Sequence, residues 1–253
     1  MFRHNIVRES FIPVDLEEPL TGQACTEMVI EIIKYIMYQK QQIPLSCDSL
    51  MKLHANSKPT DRNFSLMQNL VSSMYNVSSH LSSQFNIEDC TVKEILIVIG
   101  ATIVSPKISI RLELPDSILN SKMHLRHQHS VRKALLSVMK SFCECSEFQD
   151  ELAIPLEPTN TFILVNKKDP YKISEFFVPK PQFDLSTQKT ASFHIKFNYI
   201  KNNQLNCNCD RLVHIYHDSD ENNIVEKLKK CDSNVSYQWY QSREIFKGFK
   251  FLR

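Results

Sequence analysis

TVKEILIVIGATIVSPKISIRLELP, residues 91–115, is where the chain changes its period. Ile95-Leu96-Ile97-Val98-Ile99 is a β-branched run that ends at Gly100, the pattern of a buried strand. Ile108, Ile110, Leu112 and Leu114 then alternate with Ser109, Arg111 and Glu113, the pattern of a half-buried strand, and Pro115 stops it. Upstream the spacing is helical. A first helix is predicted from about Thr21, which would cap it, with Met28, Ile32, Tyr35 and Ile36 on one stripe and Cys25, Val29 and Ile33 beside them. It ends in the polar run Gln39-Lys40-Gln41-Gln42, before Pro44. The polar stretch 54–62 reads as a loop. A second helix follows near 61–86, with Phe64, Met67, Leu70 or Val71, Met74, Val77, Leu81 and Phe85 as its apolar stripe.

Downstream, a third helix is predicted over about 122–147. Its apolar arc is wide. Val131, Ala134, Leu135, Val138 and Phe142 form one stripe, and Leu136, Met139 and Cys143 form a second. One solvated face needs only the first stripe. Either the helix is central and buried on both sides, or its second stripe is a partner surface. The last third is rich in strands: Phe162–Val165, Phe193–Tyr199, Leu212–Tyr216 and Val235–Tyr240. Residues 166–190, with Pro170, Pro179 and Pro181, read as a long irregular connection, a kind of segment that is often functional. The terminal Phe246–Arg253 reads as a strand docking its aromatics on the sheet. Helices early and strands late predict an α+β fold rather than a βαβ alternation. Residues 1–20 carry Pro13 and Pro19 and read as a flexible lead-in; residues 21–253 read as a single domain.

Composition narrows the chemistry. Of 253 residues only three are glycine, Gly22, Gly100 and Gly248; average usage would give roughly 18. A dinucleotide fingerprint, a P-loop, a kinase glycine loop and a nucleophile elbow all need glycines closer together than these. Phosphate-cradling enzymes are therefore excluded as the leading class. The 17 asparagines are expected to cover some turns that glycine usually serves. A net charge of +2 is too small to imply a nucleic-acid or membrane partner. No apolar run is long enough for a signal peptide or a membrane span. The eight cysteines are read as small core hydrophobes in a reducing compartment.

Site candidates in the bare sequence are weak. Cys207-x-Cys209 with His214 and His217 is the best metal set, but one intervening residue is a poor bite for tetrahedral zinc. His124, His127 and His129 have no carboxylate or thiol at ligand spacing and read as a polar helix start. No local signature supports nucleophilic catalysis, and Glu17-Glu18 read as solvated. The basic, aromatic C-terminus alone is thin support for nucleic-acid binding.

Three segments together resemble one family. They are Ile32–Leu45 (IIKYIMYQKQQIPL); Ile95–Gly100 with Ser105-Pro106-Lys107; and Tyr237-Gln238-Trp239-Tyr240-Gln241 with Phe246-Lys247-Gly248-Phe249. In this order they resemble the comet family of spindle-checkpoint silencing adaptors. Met-Tyr-Gln-Lys-Gln-Gln-Ile-Pro and Phe-Lys-Gly-Phe are the most specific parts. The resemblance implies a HORMA-like fold: three main helices on a mostly antiparallel sheet, with a C-terminal safety-belt-like segment. It implies no enzymatic activity and no cofactor. It implies binding to the closed conformer of mitotic arrest deficient protein two, which is presented to a hexameric AAA+ remodelling ATPase. The mitotic checkpoint complex then comes apart and the checkpoint is silenced. The implied place is nucleus and cytoplasm, with the spindle in mitosis, and neither nucleic acid nor membrane is a partner. Gln39 matches a partner-contacting glutamine of the first helix. The third helix matches the dimerisation helix, with Leu135 or Met139 meeting the partner; the family often carries an aromatic where Leu135 aligns. Pro179 and Lys180 match a Pro-Lys pair used to engage the ATPase. The lead-in is shorter than usual in the family and the region 201–223 longer. The alternatives are another HORMA-type scaffold that grips a peptide under its C-terminal segment, and a zinc-dependent enzyme built on Cys207, Cys209, His214 and His217.

Overall fold

The computed structural model describes residues 9–87, 90–115, 117–119, 131–169, 174–184, 191–200 and 236–252. In chain order these form β1 (Glu9–Leu16), α1 (Gly22–Gln39), α2 (Cys47–Asn56), α3 (Phe64–Phe85), β2 (Thr91–Thr102), β3 (Ser105–Glu113), α4 (Val131–Glu144), α5 (Ser146–Ala153), β4 (Asn160–Lys168), β5 (Phe177–Pro179), β6 (Ala191–Tyr199), β7 (Gln238–Ser242) and β8 (Phe246–Lys247). The strands make one sheet in the order β1-β6-β3-β2-β4-β7-β5, with β8 also paired to β4. Among these described strands only β1–β6 and β3–β6 are parallel. The other pairings are antiparallel. The α+β expectation holds.

One face of the sheet carries the helices. Ile95, Ile97 and Ile99 of β2, Ile163 and Val165 of β4, and Phe193, Ile195 and Phe197 of β6 point into that core. On the other face Leu96, Val98, Phe162 and Leu164 are also buried, beneath Ile103, Phe183, Trp239 and Ile245. This is why β2 and β4 read as continuous apolar runs: both of their faces are covered. β6 lies where only one face is apolar, and its alternation is correspondingly clean.

α1 is the central helix, in contact with α3 on one side and α4 on the other. Thr21 caps it as expected, its side chain accepting from the Ala24 amide at 3.2 Å. α4 is not buried on both sides. Ala134, Val138 and Phe142 face the core, while Leu136 is 63% exposed and Cys143 is exposed. Of the two readings of its second apolar stripe, burial is the one the structure overturns.

Other expectations are corrected. The second half of the 1–20 lead-in is a strand: Ser10, Ile12, Val14 and Leu16 are buried in strict alternation, and Pro13 is tolerated because β1 is an edge. The domain therefore includes these residues; residues 1–8 lie outside the described ones. The 54–62 loop begins later than read, because α2 runs to Asn56 behind its Ser46 cap. The third helix stops at Glu144 and α5 restarts at Ser146, with Cys145 as its N-cap residue. The 166–190 connection is not wholly irregular: Asn166–Lys168 extend β4, and Phe177–Pro179 is β5. Among the described residues no asparagine has a positive φ; the non-glycine residue that does is Gln41, at 53°. Cys25 and Cys47 are buried as expected, but Cys143 is not. The predicted strand 212–216, the histidines 124, 127 and 129, and Cys207, Cys209, His214 and His217 lie outside the described residues. No described helix is long and apolar enough to cross a membrane.

Candidate partner-binding surface

α1 ends in a corner that organises the surface around it. Lys40 closes the helix, its amide donating to Ile36 O at 2.9 Å. The Gln41 amide donates to Tyr38 O at 3.0 Å and the Gln42 amide to Met37 O at 2.8 Å. This pair of bonds around a left-handed residue is a Schellman motif. It turns the polar run in alternating directions: Tyr38, Gln39 and Gln41 are exposed, whereas Lys40 and Gln42 are completely buried.

The buried pair is fully bonded. Lys40 Nζ donates to Glu151 O at 2.7 Å, Ile154 O at 2.8 Å and Glu151 Oε1 at 3.0 Å. It thereby pairs the Ile154 carbonyl just past α5 and adds a second donor to Glu151 O, which already accepts from the Ile154 amide at 3.1 Å. Gln42 Nε2 donates to Lys40 O at 3.0 Å and Leu156 O at 3.2 Å, and its Oε1 accepts from the Thr159 amide at 2.8 Å. Gln42 O accepts from the Phe249 amide at 2.8 Å. The two most distinctive motifs of the sequence, at residues 37–44 and 246–249, are thus direct neighbours.

Two grooves meet at Tyr38. One, of about 310 Å³, is lined by Glu31, Lys34, Tyr35 and Tyr38 of α1, Ser46, Cys47 and Asp48 at the start of α2, and Leu135 and Met139 of α4. Its wall is firm, because Tyr35 stacks on Phe142 with ring centroids 5.9 Å apart. Lys34 lies 2.6 Å from Glu31 and 3.6 Å from Asp48. Burial opposes its charge, but the hydrogen bond and charge of Glu31, with Asp48, push its pKa above the ordinary value. The groove is therefore apolar at Leu135, Met139 and Tyr35 and charged at its rim. The second groove is lined by Tyr38, Gln39, Gln41, Ile43, Pro44, Phe249 and Lys250. Gln39, Leu135 and Met139 thus flank one shared tyrosine.

Pro179 and Lys180 are elsewhere, on the edge formed by β5. Pro179 pairs with Tyr240 of β7, and the Lys180 amide donates to Trp239 O at 2.7 Å. Pro179 is exposed and Lys180 half-buried. The strand beneath them is anchored by Lys167, whose Nζ lies 2.6 Å from Asp169 and hydrogen-bonds Gln84 of α3. The same cation sits 4.6 Å from the Tyr240 ring centroid and 5.9 Å from that of Phe177.

Sequence reasoning missed Tyr38, Lys40 and Gln42. Tyr38 was visible as an aromatic in a polar run. The burial of Lys40 and Gln42 had no signal in periodicity. Among the described residues no cluster of His, Cys, Asp and Glu could hold a metal ion.

Helices on one face of a mostly antiparallel sheet, with a C-terminal segment strapped along β4, define a HORMA-like protein whose grooves suit a protein partner. A family model described as "p31comet: Mad1 and Cdc20-bound-Mad2 binding" matches residues 3–188, and the chain belongs to this family. The human protein named MAD2L1-binding protein is 28% identical over 120 residues, covering 42% of this chain and 43% of that protein. The match thus spans less than half of that relative.

Proposed function

We propose that this chain is a non-enzymatic adaptor that binds the closed conformer of Mad2 through α4 and the end of α1. Pro179 and Lys180 then engage a hexameric AAA+ ATPase. The ATPase remodels the bound Mad2, the mitotic checkpoint complex disassembles, and the spindle checkpoint is silenced. The observation that carries this reading is the incompletely buried outer side of α4: Leu136 of the second stripe is 63% exposed, and Met139 of the second stripe and Leu135 of the first, both half-buried, open into a groove that reaches Gln39 through Tyr38. Family membership supplies the partner class. The ATPase step is supported by the placement of Pro179 and Lys180 on a sheet edge away from that groove, so both partners fit at once.

The test is a titration against closed Mad2. Gln39→Ala with Leu135→Ala should weaken binding on the order of tenfold or more while the fold is kept, because a few central anchors carry most interface energy. Unchanged affinity refutes the surface. A Pro179→Ala and Lys180→Ala variant should bind Mad2 normally yet fail to support ATPase-driven disassembly; normal disassembly refutes the β5 assignment. The same reading places the protein in nucleus and cytoplasm and on the mitotic spindle, which a fluorescent fusion tests.

A further inference from the structure

The surface around Gln39 has a wall that comes from the other end of the chain. Phe249 and Lys250 line the same groove as Tyr38, Gln39, Gln41, Ile43 and Pro44. What holds that wall is Gln42. Its side chain and backbone together bond to Met37, Lys40, Leu156, Thr159 and Phe249. Gly248 presses against it: a Cβ there would lie 2.7 Å from Gln42 Oε1 and 2.9 Å from the Thr159 nitrogen. The Gly248 amide meanwhile donates to Thr159 O at 2.8 Å. Only a residue without a side chain lets the strap approach this closely.

Resting on the partner surface just described, we propose that Gln42 is the positioning residue of that surface. It is a latch that couples closure of the C-terminal strap, Phe246–Leu252, to the shape of the Gln39 corner. The coupling is physical. Gln42 O and Gln42 Oε1 receive bonds from the strap and from Thr159, while the Gln42 amide makes the outer bond of the Schellman motif that sets Gln39 and Gln41. Detaching the strap breaks the bond from the Phe249 amide to Gln42 O and removes Phe249 and Lys250 from the groove. The strap-open form therefore lacks one wall of the docking surface. By linkage, a partner that favours the closed form must also tighten the strap.

The experiment uses the full chain, closed Mad2, and hydrogen exchange read by mass spectrometry. Gln42→Met keeps the length of the side chain and removes its side-chain bonds to Lys40, Leu156 and Thr159, leaving the backbone bonds in place; Gly248→Ala leaves Gln42 intact and pushes the strap away from it. Neither residue lines the groove. Both variants should exchange faster at 246–252 and at 38–42 while the β2 and β4 amides keep their protection. If the closed fraction falls to about one tenth, apparent affinity falls about tenfold. Saturating Mad2 should restore strap protection in both variants and raise it in the unaltered chain. Unchanged affinity in variants whose strap exchanges faster overturns the coupling. Equal loss of protection at β2 and β4 overturns it too, because Gln42 then serves only global stability. Absence of binding by the unaltered chain overturns the adaptor reading as well, so the two failures are distinguishable.

Discussion

Gln41 occupies a position where most proteins place glycine. It is the residue after the helix cap, its φ is 53°, its own amide donates to Tyr38 O, and the Gln42 amide donates to Met37 O. An L-residue in the left-handed region costs about 1–2 kcal/mol. Glycine would remove that cost, and its extra freedom in the unfolded chain would return about 0.4–1 kcal/mol. Gln41→Gly should therefore stabilise by roughly 0.5–1 kcal/mol, a rise in Tm of about 1–4 °C for a domain of this size. Because the Gln41 side chain is exposed, Gln41→Ala should be nearly neutral and serves as the control for side-chain loss. Gln41→Val places a β-branched residue at the same φ and should cost roughly 1–3 kcal/mol. The assay is thermal denaturation of the four proteins in one buffer. A lower Tm for Gln41→Gly, or a neutral Gln41→Val, would refute the view that the conformation of residue 41 is a local strain.

Gly100→Ala should destabilise by about 1–3 kcal/mol through overpacking, because a Cβ there meets Ser105 O at 2.6 Å; denaturant unfolding with an unchanged slope checks it. Iodoacetamide should alkylate exposed Cys143 well before Cys25 and Cys47, whose thiols are pushed up by burial to about 12 and about 11; peptide mapping by mass reads the order. At Glu113 burial pushes the pKa up, but the Lys196 and His194 partners outweigh it and hold it below its ordinary 4.5. Its native state thus binds fewer protons than the unfolded chain, so its contribution is present above that value and is lost as pH falls through the native pKa. Glu113→Gln should accordingly make the loss of stability below about pH 4.5 less steep, measured as Tm against pH.

The strands were legible where their surroundings obey a simple rule. β6 alternates because one face meets the helices and the other does not, and its bounds fall close to the predicted Phe193–Tyr199. β1 obeys the same rule, but Pro13 and exposed Phe11 masked it, and only its edge position makes both tolerable. The wide arc of α4 was visible; which side was buried was not, because that depends on α1 filling the middle of the helical layer. Gln39, Leu135 and Met139 entered through family resemblance, and the structure brings all three around Tyr38. Nothing in composition singles out that tyrosine as their meeting point.

The polar run 39–42 looks like a solvated helix end, yet half of it is the most enclosed polar material in the corner. Burying a lysine and a glutamine is unfavourable unless every polar atom finds a partner. Here the partners are the end of α5, the turn before β4, and the C-terminal strap. These segments are far apart in sequence, so no local pattern could encode the arrangement. Satisfied networks of this kind fix one geometry more sharply than apolar packing does, because a small displacement leaves bonds unmade. A docking surface needs that sharpness at its rim, where Gln39 and Lys250 line one groove with Ile43 and Phe249 of the core. The same demand explains Gly248. Its φ is not positive, so flexibility is not what the position requires. It requires room for Gln42, and in a chain with three glycines one is placed where the strap crosses the latch.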